Sequence, residues 1–181
     1  MKLIPKQDQK VSKWTGGTTA ELLIFPKNAT VSEQNFDYRI STAKVLSEKS
    51  EFTSFPKFNR KLAILEGKLK IQHNQSEWYV LEAGKQSEFK GEWETRSEGQ
   101  VVDFNVIYSC EYGVEVTFIN QLVLGDFNQG CEVVGIYCLS GSGNINDFHF
   151  QHGDFINANG EVLSLEASEN ASFVKVIINK L

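Results

Sequence analysis

The sequence predicts an all-β protein built as two packed antiparallel, jelly-roll-like barrels, on three observations. Helical periodicity is nearly absent along the 181 residues. Short runs rich in Val, Ile, Phe, Tyr and Thr alternate instead with turn residues at roughly ten-residue spacing, as in sandwiches and barrels. The third observation is an internal echo. Ile64–Ile71 reads I-L-E-G-K-L-K-I, and 74 positions later Cys138–Ile145 reads C-L-S-G-S-G-N-I. Each is followed by an aromatic-bearing run that closes in a Gly turn, W-Y-V-L-E-A-G-K to Lys85 and F-H-F-Q-H-G-D to Asp154. A strand–Gly–strand–Gly-turn plan that occurs twice reads as a tandem of small barrels. Closing them removes the edges that so many strands would leave. The expected division is residues 1–110 and 111–181, with N-terminal strands crossing between the halves. No composition shift marks a linker, so the halves are expected to pack as one unit.

Taken in order, the opening M-K-L-I-P-K-Q-D-Q-K lacks the apolar run of a signal peptide. No window approaches the roughly 18 apolar residues of a membrane span, so a cytoplasmic protein is expected. Trp14 directly precedes T-G-G-T-T-A-E, a Gly-Gly turn entering a strand, where its ring either walls a pocket or packs in the core. Alternation along Thr19–Phe25 places Thr19, Glu21 and Leu23 on one face. Along Phe36–Ala43, Phe36, Tyr38 and Ile40 face one way, and Arg39 and Ser41 face the other. Phe55-Pro56 shapes a turn ahead of Arg60, the second arginine inside a strand-like run. Along Val102–Tyr108 the apolar Val102, Phe104, Val106 and Tyr108 alternate with Asp103 and Asn105. In the second half, Asn159-Gly160 between D-F-I-N-A and E-V-L-S-L is the strongest hairpin signal.

Three strands therefore each carry a polar pair on one face, which a barrel with a partly polar lumen would require. Arg39 and Arg60 balance Glu21 and Asp103, with Thr18, Thr19, Ser41 and Asn105 as neutral hydrogen-bonding groups. Arginine is rarely buried unless something pairs with it. A guanidinium fork facing the lumen can grip a ligand carboxylate, or the two arginines can brace the barrel against Asp103 and Glu21. Spacing leaves both readings open.

Several function classes are disfavoured. A net charge of −5 gives no electrostatic footprint for nucleic acid, and no polybasic cluster suits an anionic membrane. Cys110, Cys131 and Cys138 are odd in number and lack close pairing, so reduced thiols are expected, with Cys138 buried in V-V-G-I-Y-C-L. No metal site is expected. His149 and His152 are three apart in a strand-like run and so face opposite ways, and His73 sits beside a turn at Asn74-Gln75. Nor is a cofactor expected, since no Gly-rich phosphate loop precedes a helix. A Glu21–Asp103 acid/base pair is the remaining catalytic arrangement.

At these residues the chain resembles the HutD/Ves family. The matching segments are W14-T-G-G-T-T-A-E21, F36-D-Y-R-I-S-T-A43, E51-F-T-S-F-P-K-F-N-R60 with L62-A-I-L-E-G67, F89-K-G-E92 and G99-Q-V-V-D-F-N-V106. The resemblance implies a bicupin of the cupin superfamily. It also implies a small-molecule-binding or regulatory protein, associated with histidine or other amino-acid catabolism or with a stress response, and without an established activity. Carried over residue by residue, the family's first-barrel pocket implies a small-carboxylate site. It would be formed by Trp14, Thr18, Glu21, Arg39, Ser41, Phe55, Arg60, Asp103 and Asn105. That favours clamp over brace.

Two departures stand out: Ser50-Glu51 replaces a common Gly-Pro, and Lys57 and Asn59 replace a common Gly after the proline and an acid before the arginine. The ligand can therefore differ from histidine-pathway intermediates. The expectation is a binding protein that is not an enzyme, with a metal-independent enzyme acting on a small carboxylic acid as the alternative. Cupin-like barrels can also pair through strand edges, which leaves a homodimer open.

Overall fold

The computed structural model describes residues 1–127, 130, 132–158, 162 and 164–181. The alternating runs fold as strands throughout, with two short 3-10 turns at Lys6–Asp8 and Leu124–Phe127. In chain order the strands are β1 (Lys2–Ile4), β2 (Lys10–Trp14), β3 (Gly17–Phe25), β4 (Tyr38–Val45), β5 (Lys49–Glu51) and β6 (Phe58–His73). They continue with β7 (Tyr79–Glu82), β8 (Gln86–Lys90), β9 (Thr95–Glu98), β10 (Val101–Ser109), β11 (Tyr112–Ile119) and β12 (Val133–Ser140). The last are β13 (Ser142–Ile145), β14 (Phe148–Gln151), β15 (Phe155–Asn157), β16 (Leu165–Ala167) and β17 (Ser172–Lys180).

The chain divides into two compact units, Lys10–Cys110 and Met1–Gln9 with Glu111–Leu181. Three links tie the N-terminal residues to the later half: β1 pairs with β15, the Lys6 amide donates to Asp154 Oδ1 at 2.8 Å, and Gln9 Nε2 donates to the Gly153 carbonyl at 2.8 Å.

In the Lys10–Cys110 unit the strand order is β2-β3-β4-β10-β6-β9-β5, with β7 and β8 also on β6. Strand β6 runs for 16 residues and changes partners at Gly67. Before that residue it pairs with β8 and β10, and after it with β7 and β9. Gly67 has φ +88°, and a Cβ there would lie 2.7 Å from the Gln100 carbonyl oxygen, so the bend needs glycine twice over.

The second unit repeats this plan. Strand β12 pairs with β15 and β17, and β13 pairs with β14 and β16, with Gly141 at φ +82° between β12 and β13. The echoed segments thus occupy equivalent places in two sets of pairings. Among the described residues neither set closes: pairing ends at β2 and β5 in one unit, and in the other at β1 and β11 of a five-stranded sheet and at β14 and β16 of a three-stranded one. The architecture is all-β with open sheets rather than two hydrogen-bonded closed barrels.

Each unit has its own core. In the second, Ile136, Cys138, Ile145, Phe150 and Phe173 are fully buried and pack as one apolar cluster. In the first, Leu62, Ile64, Leu69, Ile71 and Phe89 form one cluster, and Phe36, Phe55 and Ile107 belong to another. The first unit also buries charge, at Arg39, Arg60 and Asp103.

Some sequence expectations change in detail. Leu23 does not continue the Thr19–Glu21 face, because a bulge between Glu21 and Leu23 shifts β3 by one residue. Ile24, rather than Leu23, stands opposite Arg39. The Asn159-Gly160 hairpin signal and Cys131 lie outside the described residues. The strands flanking that signal pair elsewhere, β15 with β1 and β12, and β16 with β13. Cys110 and Cys138 are free thiols, the first exposed and the second buried. Lys57 has φ +72°, a left-handed backbone that glycine adopts more readily.

Candidate functional site

Three central strands of the first unit set the site by register. Ile107 of β10 stands opposite Arg39 on β4 and Arg60 on β6, so both arginines flank one residue of the middle strand. One step along, Asn105 stands opposite Ser41 and Leu62, and then Asp103 stands opposite Ala43 and Ile64. Directly opposed residues share a face. Arg39, Ser41, Asp103, Asn105 and Arg60 accordingly all line one cavity of about 660 Å³. That volume suits a small organic ligand.

Glu21, Trp14 and Phe55 line the same cavity, and Thr18 does not. Thr18 pairs with Lys13 and Lys44, while its neighbour Thr19 pairs with Ser12 and Ala43 and lines the cavity. The period of two along β3 puts Thr18 on the other face, which removes it from the site. Trp14 lies at the rim, 41% exposed, with its indole Nε1 donating to Thr19 Oγ1 at 3.2 Å. Phe55 is buried beside Phe36 and Phe58.

The two arginines differ in how fully the protein satisfies them. Arg39 Nε donates to Glu21 Oε2 at 2.9 Å, and its Nη1 donates to Ser41 Oγ at 3.3 Å. This is one of the two bracing pairs that the sequence allowed. The other is not made, as no ion pair joins Arg60 to Asp103 among the described residues. Arg60 Nη1 donates to the Thr53 carbonyl at 3.3 Å, and its buried Nε has no protein acceptor. Asp103 Oδ1 and Asn105 Oδ1 are likewise buried without a protein donor.

Aromatic rings surround the Arg60 guanidinium. Its Cζ lies 4.8 Å from the centre of Phe52, 5.4 Å from Phe89 and 5.7 Å from Phe55. Ring faces attract a cation without using its N–H donors. Burial lowers the Arg60 pKa to about 10, against the attraction of Asp103, and the like charge of Arg39 lowers it further. The group is still a cation at neutral pH, and it is electrostatically under-compensated. Asp103 is pushed up to about 7 by burial, against the attraction of Arg60.

Phe52, Phe89 and the Thr53 carbonyl were not singled out from sequence, although E51-F-T-S-F and F89-K-G-E are family-like segments. The missing signal is three-dimensional: the rings matter because they enclose Arg60 from separate elements. His73 has a different place. It is buried, with Nδ1 2.8 Å from Thr95 Oγ1 and Nε2 2.8 Å from Tyr79 OH, and its ring lies 4.4 Å from Phe89. Burial and, less so, Arg60 lower its pKa, which favours neutral imidazole. Both ring nitrogens are engaged, so it acts as a structural side chain behind the Arg60 cage. Among the described residues no group of three or more His, Cys, Asp or Glu is placed to hold a metal ion. No helix among them is long and apolar enough to cross a membrane.

The chemistry available is therefore anion binding by a desolvated guanidinium, together with hydrogen-bond acceptance by Asp103 and Asn105. Comparisons with known proteins place this arrangement in context. The HutD family model matches residues 6–174. HutD from Pseudomonas fluorescens SBW25, solved in a formate condition, aligns with a TM-score of 0.76 at 18% identity, covering 99% of this chain and 98% of that one. A conserved protein of unknown function from Pseudomonas aeruginosa PAO1 aligns at 0.79 with 19% identity and the same coverage, 99% and 98%. The pirin YhhW from Escherichia coli, in complex with nickel(II), aligns at 0.63 with 10% identity, over 99% of this chain and 98% of that one. At these identities the structural likenesses show a shared, cupin-like fold. No curated protein matches the sequence. Because the family model spans nearly the whole chain, including every residue of the cavity, the protein belongs to the HutD family.

Proposed function

We propose that this protein binds a small carboxylate in the cavity of its Lys10–Cys110 unit, with Arg60 as the principal anion-holding group and Arg39 beside it. The carrying observation is the state of Arg60. It is 5% exposed, its Nε has no protein acceptor, and no carboxylate among the described residues pairs with it. A buried cation left so under-compensated is costly, and a ligand oxygen at Nε removes that cost. Arg39 is already held by Glu21 and Ser41, so it adds positive potential and a fixed geometry rather than a second free fork. Phe52 and Phe55 exclude water from the anion, which strengthens its attraction to both arginines.

On this reading the ligand site belongs to the first unit, whose interior carries Arg39, Arg60 and Asp103. Binding rather than catalysis is the primary role. Regulation of histidine or other amino-acid catabolism, or of a stress response, would follow from sensing a cytoplasmic acid. One observation favours a metal-independent enzyme as second reading: Asp103, buried at the cavity with a pKa near 7, is suited to general-base work. Product formation lost in Asp103→Asn would select it.

The test is a thermal-shift and calorimetric screen of small acids against wild type and Arg60→Ala, with Arg60→Lys as a second variant that keeps the charge. At least one acid is expected to raise the Tm of wild type. Affinity should fall at least tenfold in Arg60→Ala, the order of one charge-assisted hydrogen bond, and partly return in Arg60→Lys. Unchanged affinity in folded Arg60→Ala, or no acid binding at all, would overturn the proposal.

A further inference from the structure

The cavity presents more than a cation. Asp103 and Asn105 stand two apart on β10 and both line it, so their side chains leave the same face of the strand about 7 Å apart at the backbone. Each has a buried Oδ1 with no protein donor, and Asp103 is 5% exposed. Arg60, one strand over, offers the unpartnered Nε. A simple carboxylate satisfies the arginine alone. It leaves two buried acceptors unmade and brings a second negative charge towards Asp103, both of which cost free energy.

We infer that the ligand is a bifunctional small acid, with a carboxylate for Arg60 and Arg39 and, a few bonds away, amide- or urea-type N–H donors for Asp103 Oδ1 and Asn105 Oδ1. This rests on the carboxylate reading above and specifies the rest of the molecule. Glu21 does not compete for those N–H groups on equal terms, since one of its oxygens already accepts from Arg39. Leu69, Val101 and Ile107 add apolar lining to the same cavity. A site with two fixed, desolvated acceptors discriminates strongly against an analogue that lacks the matching donors.

Three acids with the same number of non-hydrogen atoms isolate the effect: levulinate with no N–H, N-acetylglycine with one N–H, and N-carbamoylglycine with a urea group. Each is titrated calorimetrically into the intact wild-type protein, Asp103→Leu and Asn105→Leu. In wild type, N-carbamoylglycine is expected to bind at least tenfold tighter than levulinate, with N-acetylglycine between them. In the two variants the ratio of N-carbamoylglycine to levulinate affinity should fall towards one. Equal affinities in wild type, or tightest binding of levulinate, would overturn the donor requirement and leave the carboxylate site standing. Binding of none of the three would remove the carboxylate site and this inference together. If a leucine variant does not fold, the wild-type series still decides.

Discussion

Asp103 is 5% exposed, and burial moves its carboxyl from an ordinary 3.8 up to about 7 against the attraction of Arg60. Between those values the folded protein holds a proton that the unfolded chain has released, so this group makes stability fall as pH rises from about 4 to 7. Above about 7 its contribution is flat. Asp103→Asn is expected to flatten that slope and to raise stability at pH 8 by on the order of 2 kcal/mol, read as the difference between variant and wild-type urea denaturation at pH 5 and pH 8. A variant with the wild-type slope, or one less stable at pH 8, would show that the carboxylate is better compensated than its surroundings indicate. Such a group destabilises the empty protein, and a ligand that donates hydrogen bonds to it recovers part of the loss. Residues that weaken a fold in this way are characteristic of binding sites.

Strand β6 is the element on which the site depends, because its first half carries Arg60 and its second half turns away at Gly67 to pair with β7 and β9. Gly67→Ala places a Cβ 2.7 Å from the Gln100 carbonyl oxygen at φ +88°. A loss of roughly 2 kcal/mol or more is expected, measurable as a lowered midpoint in chemical denaturation. An unchanged midpoint would mean that the bend relaxes freely.

Much of this element-level organisation was legible in the sequence. Alternation alone put Arg39 with Ser41 and Asp103 with Asn105, because a period of two survives wherever a strand is regular. It failed where the strand is irregular, since the bulge after Glu21 displaced Leu23, whereas Thr18, which the family resemblance implied, is set aside by the same period of two that brings Thr19 to the cavity. The echo between Ile64–Ile71 and Cys138–Ile145 was visible because two glycines hold equivalent left-handed positions, at Gly67 and Gly141. The Phe52, Phe55 and Phe89 cage around Arg60 was not visible. It gathers residues from a loop and from β8, and no local pattern reports such a meeting.

At the scale of the molecule, the same pairing plan is used twice with different interiors. The second unit packs Ile136, Ile145, Phe150 and Phe173 into one buried apolar cluster. The first gives part of its interior to Arg39, Arg60 and Asp103, of which Arg39 is paired with Glu21 while Arg60 Nε and Asp103 Oδ1 lack a protein partner. On the proposed function, this division reserves one copy of the pairing plan for ligand binding. It also explains why the HutD likeness over residues 6–174 is accompanied by a cavity lined entirely from Lys10–Cys110. The central claim concerns one atom of that cavity. A crystal structure of the protein soaked with N-carbamoylglycine tests it most directly. A carboxylate oxygen is expected within about 3.2 Å of Arg60 Nε; a ligand bound away from both arginines, or a cavity that stays empty at saturating concentration, would contradict the assignment.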